Sequence, residues 1–233
     1  MNRVALVLWL VGATAAVAPA GGSIGQPRAS ETLERFVQAP DTAAALALVE
    51  ATASSGLDLE TALARLRAGR SYEPAPAGVS TVTFTASDNS TLEALVELPR
   101  SYVPDKRWPV RVQLHGGVSR PETAGPRRRL TPNRLPGEEA IYVQPTGHAG
   151  AEWWHLNQFE HMVALLDRVK RSYNVDENLV YLTGVSDGAT GAYFYAMKLS
   201  TPFSAFMPLN GNMRVLSSPG TRANGQLHAG NMI

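Results

Sequence analysis

Ser186 is the residue whose surroundings in the sequence most clearly indicate chemistry. The apolar and β-branched run at residues 179–183 predicts a buried parallel strand, and the apolar spacing after residue 188 predicts a helix. Between them stands the sequence GVSDG at residues 184–188. A serine at such a tight turn is held in a strained backbone conformation, which requires the small neighbours Gly184 and Gly188. Its hydroxyl is then exposed as a nucleophile at the carboxyl end of the strand.

Two further consequences follow from this turn. The serine would lie at the positive end of the helix, and the backbone N–H of Asp187 would face an oxyanion that develops during attack on a carbonyl. The alternative interpretation is a glycine-rich turn that contains an incidental serine. The predicted strand and helix on either side favour the nucleophile.

A second signal lies upstream, where the strand predicted at residues 108–114 ends in His115-Gly116-Gly117. Glycines in this position can offer backbone N–H groups to the same oxyanion, each typically worth roughly 3 kcal/mol of transition-state stabilisation. The sequence therefore predicts an oxyanion hole formed by Gly116 or Gly117 together with Asp187. For His115 we favour a structural role in the loop over that of catalytic base, because the base follows the serine in this arrangement.

The loop at residues 145–156 carries His148, Trp153, Trp154 and His155. Aromatic side chains on a loop at the carboxyl edge of the sheet could line a substrate pocket together with His115, but ordinary packing explains the tryptophans equally well. The histidines lack the spacing of a metal-binding motif, so we predict no metal site.

Composition excludes several classes of protein. The 233 residues are 44% hydrophobic and 18% charged, with a net charge of +1, which is globular and argues against binding to nucleic acid. There is no cysteine, and hence no disulfide, thiolate metal site or cysteine nucleophile. A proline- and arginine-rich loop at residues 119–137 is interpreted as an exposed, solvated segment in preference to a basic lip facing substrate.

The N-terminus predicts export. A short positive start, an apolar run and Ala18-Pro19-Ala20 form the pattern of a signal peptide over residues 1–20. We therefore expect a secreted or periplasmic protein, with no stable membrane insertion after cleavage. The oligomeric state is not indicated.

The rest of the chain divides by pattern into two parts. Residues 21–78 predict a small helical segment, with a first helix capped near Ser30, a second restarting at residues 40–42 and a third closed by Gly69, followed by a Pro/Ala linker. Residues 79–233 alternate between strand and helix patterns. These begin with a predicted antiparallel hairpin over residues 79–98 and continue with strands near 108–114 and 140–144 and a helix over 159–173.

Residues 92–213 resemble the secreted esterase and polyhydroxybutyrate-depolymerase-like branch of the α/β-hydrolase superfamily, which is related to the prolyl-oligopeptidase-type serine hydrolases. The resemblance is carried by LPRSYVPDKRWPVRVQLHGG, LLDRVKRSYNVDENLVYLTG and GVSDGATGAYFYA. It implies an α/β-hydrolase fold and hydrolysis of small or polymeric esters through Ser, Asp and His without a cofactor. It assigns the nucleophile to Ser186 and the oxyanion donors to Gly116 or Gly117 and Asp187.

The sequence departs from that family after the helix that is predicted to follow Ser186. Residues 188–233 contain no Asp or Glu, and His228 is the only histidine among them, so the acid and base of a triad in the order Ser, Asp, His are missing from this chain. We expect an α/β-hydrolase domain that is incomplete at its C-terminus, in a chain that folds poorly alone and turns over little. The alternative is a short form that works differently, with His148 or His155 as base. Peptide hydrolysis of the oligopeptidase type and a non-catalytic, hydrolase-like role are the other functional hypotheses.

Overall fold

The computed structural model describes residues 26–85, 89–118, 139–147, 152–213 and 215. The chain divides into two compact units between Ser71 and Tyr72. This division falls somewhat before the domain boundary predicted at residue 78, so the Pro/Ala segment belongs to the second unit. The predicted signal peptide lies outside the described residues.

The first unit is helical, as predicted, but the single second helix predicted from residues 40–42 is divided into two short helices. Its helices are α1 (Gln26–Val37), α2 (Thr42–Ala47), α3 (Val49–Ala53) and α4 (Leu59–Ala68). The side chain of Asp41 caps α2 by accepting from the N–H of Ala44 at 2.7 Å. Gly69 follows α4 with a positive φ of 75°. The predicted cap at Ser30 is wrong, because α1 already includes that residue.

The second unit is built on a six-stranded sheet in the order β1-β2-β4-β3-β5-β6. The strands are β1 (Gly78–Thr85), β2 (Thr91–Leu98), β3 (Trp108–Leu114), β4 (Ile141–Pro145), β5 (Val175–Val185) and β6 (Ala205–Leu209). β1 pairs antiparallel with β2 and β2 with β4, whereas β3, β4, β5 and β6 pair in parallel. The predicted hairpin and the predicted mainly parallel sheet are therefore confirmed.

Two helices pack on this sheet, α5 (Leu156–Ser172) between β4 and β5, and α6 (Asp187–Lys198) between β5 and β6. α5 begins before the predicted residue 159, and its predicted inward face is fully buried. That face consists of Met162, Leu165, Leu166 and Val169. α6 packs against β5 and β6. No helix among the described residues is long and apolar enough to cross a membrane.

Strand alternation explains how the core forms. Along β3, the even-numbered residues from Trp108 to Leu114 are apolar and buried, and the intervening Arg111 and Gln113 are also buried, on the opposite face. β5 starts at Val175, earlier than predicted, and its pairing with β3 shifts register before Val180. The β5-α6-β6 crossover joins two parallel neighbouring strands, so α6 begins at the carboxyl end of β5, the edge where ligands bind in open α/β sheets.

Candidate active site

The two segments with predicted chemistry leave the sheet side by side. β3 and β5 are parallel neighbours, and Leu114 at the end of β3 pairs with Gly184 near the end of β5. The chain after Leu114 continues directly into His115 and Gly116, and the chain after β5 continues directly into Ser186. Pairing of β3 with β5 therefore brings the predicted oxyanion loop and the predicted nucleophile to one edge.

Ser186 has the backbone geometry that a nucleophile at a sharp turn requires. Its φ is 56° and its ψ is −121°, it immediately precedes α6, and it is exposed. A positive φ is costly for a residue with a side chain and persists only where the surrounding structure enforces it. The serine hydroxyl is thereby presented at the positive N-terminal end of a helix.

The glycines on either side of Ser186 are required by close backbone contacts. A Cβ atom on Gly184 would lie 2.2 Å from the carbonyl carbon of Gly188, and one on Gly188 would lie 2.1 Å from the carbonyl oxygen of Leu114. No side chain fits at these distances. The contact between Gly188 and Leu114 also locks the turn against the end of β3.

Gly116 lies directly beside Ser186. A Cβ atom on Gly116 would be 3.2 Å from the Cβ of Ser186 and 3.8 Å from its Oγ. Gly117 has a positive φ of 78°, so the loop bends sharply at this point. The structure thus brings Ser186, Gly116 and Asp187 together, and the donor roles of Gly116 or Gly117 and Asp187 stay predictions.

His115 is held by the backbone of its own loop and of a neighbouring loop. Its Nδ1 lies 3.0 Å from the carbonyl oxygen of Gly116, and its Nε2 lies 3.2 Å from that of Thr146. A neutral imidazole has a single N–H and can donate to only one of the two. The ring also packs edge-on against Trp153, with centroids 5.1 Å apart. Both ring nitrogens therefore face carbonyl groups, as a structural role requires.

The remaining predicted pocket residues occupy different environments. Trp153 is buried, and its indole N–H donates to the carbonyl oxygen of His115 at 2.8 Å. Trp154 is half-buried against the core. His155 is largely exposed and pairs with Glu152, with 3.0 Å between Nε2 and Oε2. Packing is thus the role that the structure gives to Trp153, and it packs against the predicted oxyanion loop at His115.

Sequence reasoning missed the support that β6 gives to the turn. The N–H of Ser186 donates to the carbonyl oxygen of Leu209 at 3.2 Å, and the N–H of Asn212 donates to Oγ1 of Thr190 at 3.0 Å. A Cβ atom on Gly211 would lie 2.6 Å from Ala189. The sequence signal for this contact was the pair Gly211-Asn212, which indicates a tight turn but does not reveal what the turn packs against.

The described histidines are engaged away from the nucleophile. His115 and His155 have the partners given above, and Nε2 of His161 lies 2.8 Å from Oγ of Ser90. Among the residues that the structure describes, no histidine is hydrogen-bonded to Ser186. His148, His228 and the arginine-rich loop lie outside the described residues. Within the described part of the chain, no cluster of acidic and histidine side chains could hold a metal ion.

No protein-family model matches the chain. Over 77 residues the chain is 29% identical to a bifunctional acetylxylan esterase/xylanase of Neocallimastix patriciarum, a match that covers 32% of this chain and 12% of that protein. Among solved structures it is similar to a thermostable esterase, with a TM-score of 0.44 and 21% identity over 56% of this chain and 40% of the other. A ferulic acid esterase gives a TM-score of 0.44 with 22% identity, and the match covers 64% of this chain and 66% of that protein. Prolyl oligopeptidase B from Galerina marginata gives a TM-score of 0.43 with 13% identity, and the match covers 66% of this chain and 24% of that protein.

The chain spans less than two thirds of the length of each of these proteins. The structure contains the mainly parallel sheet that the sequence predicted. At the carboxyl edge of this sheet, a strand is followed by a strained turn at a serine and then by a helix, also as predicted. The fold is an α/β-hydrolase fold.

Proposed function

We propose that this chain belongs to a serine hydrolase that cleaves carboxylic esters, with Ser186 as the nucleophile. The observation that carries the proposal is the exposed Ser186, whose φ is 56°. The backbone of Gly116 lies so close to it that a Cβ atom added to Gly116 would be 3.2 Å from the Cβ of Ser186. A strained and exposed serine next to a bare backbone segment is the arrangement that acyl transfer needs.

The chemistry follows from that arrangement. Oγ of Ser186 attacks the ester carbonyl and forms a tetrahedral intermediate, whose oxyanion accepts from the N–H groups of Gly116 or Gly117 and Asp187. Collapse expels the alcohol, which takes up a proton, and leaves an acyl-serine that water then hydrolyses. Losing one such donor typically lowers the rate by roughly a hundredfold to a thousandfold. No cofactor takes part in this scheme.

The proton of Ser186 must pass to a base, and the three described histidines are bound elsewhere. We therefore assign the base to a residue outside the described part of the chain, for which His148 and His228 are the candidates within this sequence. A serine hydrolase that lacks its base loses several orders of magnitude in rate and retains only binding and oxyanion stabilisation. Residues 188–233 contain no Asp or Glu that could orient such a base, so turnover by this chain alone is expected to be slow.

The preference for esters over peptides is supported by similarity to one relative. The matched relative from Neocallimastix patriciarum is described as an acetylxylan esterase as well as a xylanase. The same nucleophile and donors would also serve a peptide bond, and a chain without an activated serine would be a non-catalytic binding protein. The experiment must therefore distinguish these outcomes.

The test combines an alkyl fluorophosphonate probe with matched ester and peptide substrates. We expect the probe to label Ser186, identified by peptide mass spectrometry, and slow ester hydrolysis that the Ser186→Ala variant loses. Ser101→Ala, which changes an exposed serine in a surface turn, is the matched control and should behave as wild type. Labelling and hydrolysis that survive in Ser186→Ala would contradict the proposal, as would a wild-type chain that shows neither. Faster cleavage of the matched peptide would favour the oligopeptidase type.

A further inference from the structure

The surface beside the nucleophile is apolar. Val185, Leu209 and Met213 are 41%, 58% and 48% exposed, although each carries a large hydrophobic side chain. We refer to these three residues as the acyl surface. Clustered exposed apolar groups in a soluble unit commonly mark a binding site.

The acyl surface is continuous with the backbone of the serine turn. Val185 immediately precedes Ser186 and pairs with Leu209 across β5 and β6. Because the pairing is in register, these two side chains point to the same face of the sheet. The carbonyl oxygen of Leu209 accepts from the N–H of Ser186 at 3.2 Å, so the surface and the nucleophile are fixed to each other.

Met213 is tied to the same place through the turn after β6. Gly211 packs against Ala189 in the first turn of α6, and Asn212 donates to the Thr190 hydroxyl. Met213 follows these two anchored residues in the chain. The segment that carries the third apolar side chain is therefore held against the helix that starts at Ser186.

The other large exposed hydrophobic side chains in the described part of the chain belong to other elements. They lie in the helical unit, in β1, in a loop and in α5: Leu46, Leu59, Val79, Val103 and Val163. The cluster at the serine turn is therefore a local feature of this site.

We propose that the acyl surface binds the aliphatic acyl chain of the ester and so selects medium-length acyl groups over acetate. This inference rests on the proposed function, because it assigns a substrate class to the same nucleophile. An uncharged chain is the occupant that fits, since burial of each methylene against apolar side chains is favourable and none of the three residues offers a polar partner.

The first experiment measures kcat/KM for p-nitrophenyl acetate, butanoate and octanoate. We expect octanoate to exceed acetate by roughly tenfold, and the Leu209→Gln variant to lower this ratio roughly fivefold, which is modest for a hydrophobic subsite because the surface is open. Leu46→Gln is the matched control, since Leu46 is 61% exposed and belongs to the helical unit. An unchanged ratio in Leu209→Gln, or a preference for acetate, would overturn the inference.

The second experiment does not depend on catalysis. In the Ser186→Ala background, octanamide and acetamide are titrated while the ¹³C-methyl signal of Met213 is followed, assigned by comparison with Met213→Leu. We expect octanamide to shift this signal and to bind at least roughly fivefold more weakly when Leu209→Gln is added.

The two experiments separate the two claims. If wild type hydrolyses no ester but octanamide binds at Met213, the proposed function fails and the acyl surface stands. If esters are hydrolysed but octanamide leaves Met213 unperturbed, the inference fails alone. A dimer in sedimentation that Leu209→Gln dissociates would also overturn it, because the surface would then be covered by a second copy of the chain.

Discussion

Ser186 combines the chemical role proposed for it with a conformational cost. A residue with a side chain in the left-handed region typically loses roughly 1–2 kcal/mol relative to ordinary backbone geometry. The bond from its N–H to Leu209 and the close contacts of Gly184 and Gly188 hold it there. The strain is thus maintained by neighbours on β3 and β6, and not by the turn sequence alone.

This strain predicts a difference between two variants of the same position. Ser186→Gly should have a higher free energy of unfolding than Ser186→Ala by roughly 1 kcal/mol, because glycine adopts a positive φ without penalty. Urea denaturation monitored by tryptophan fluorescence measures both. The same pair at Ser101, whose φ is not positive, is the control and should show the opposite order, because alanine restricts the unfolded chain. Equal stability of the two Ser186 variants would mean that the turn is not strained.

At the scale of elements, the oxyanion loop depends on two supports. The parallel pairing of β3 with β5 sets its position along the sheet, and the loop before α5 holds it from the side through the indole of Trp153. Gly191 in α6 allows that indole to approach, since a Cβ atom there would lie 2.5 Å from the Cβ of Trp153. Residues that lie about 40 or more positions further along the chain, in the loop at Trp153 and in β5 and α6, therefore position Gly116.

Removing the indole N–H should weaken this support. Trp153→Phe leaves the carbonyl of His115 without its buried donor, and we expect a loss of about 1–3 kcal/mol in the free energy of unfolding, together with slower fluorophosphonate labelling of Ser186. Trp154→Phe, the adjacent half-buried residue, is the control and should change both quantities less. Urea denaturation and a labelling time course test this, and equal effects of the two variants would show that the hydrogen bond does not position the loop.

At the scale of the whole molecule, the two units differ in how much they bury. Among the described residues of the helical unit, few hydrophobic side chains are buried: Ala29, Leu33 and Ala39. Helices α2, α3 and α4 contain no buried residue. The second unit has a contiguous apolar core that spans the sheet, α5 and α6. Since burial of apolar area is the main favourable term in folding, the helical unit is expected to be the less stable one.

Two separate unfolding transitions should therefore be observed in urea. Part of the circular dichroism signal at 222 nm should be lost at lower urea than the change in tryptophan fluorescence, because the described tryptophans, Trp108, Trp153 and Trp154, all belong to the second unit. The measurement uses a Trp9→Phe background, so that fluorescence reports the second unit alone. Coincident transitions would show that the two units unfold cooperatively.

Much of this architecture was predictable because it is encoded locally. The bounds predicted for β3 agree with the structure, as does the extent of the hairpin predicted over residues 79–98, and the glycines around Ser186 predicted the sharp turn. Apolar alternation and the helical repeat depend on neighbouring residues alone, so a single sequence reveals them. Errors occurred at the ends of elements, such as the start of α1 near Ser30 and the start of β5, and in the second predicted helix, which is divided into α2 and α3.

The sequence by itself determined the fold class, the candidate nucleophile and the segments that could form an oxyanion hole. Only the tertiary structure decided that β4 lies between β2 and β3, that β3 borders β5 so that Gly116 meets Ser186, and that Leu209 supports the turn. It also decided that Trp153 is a buried anchor and that His115 and His155 face other partners. The reason is physical: pairing between strands and the burial of a side chain depend on residues tens of positions away, and no local periodicity records which of them will meet.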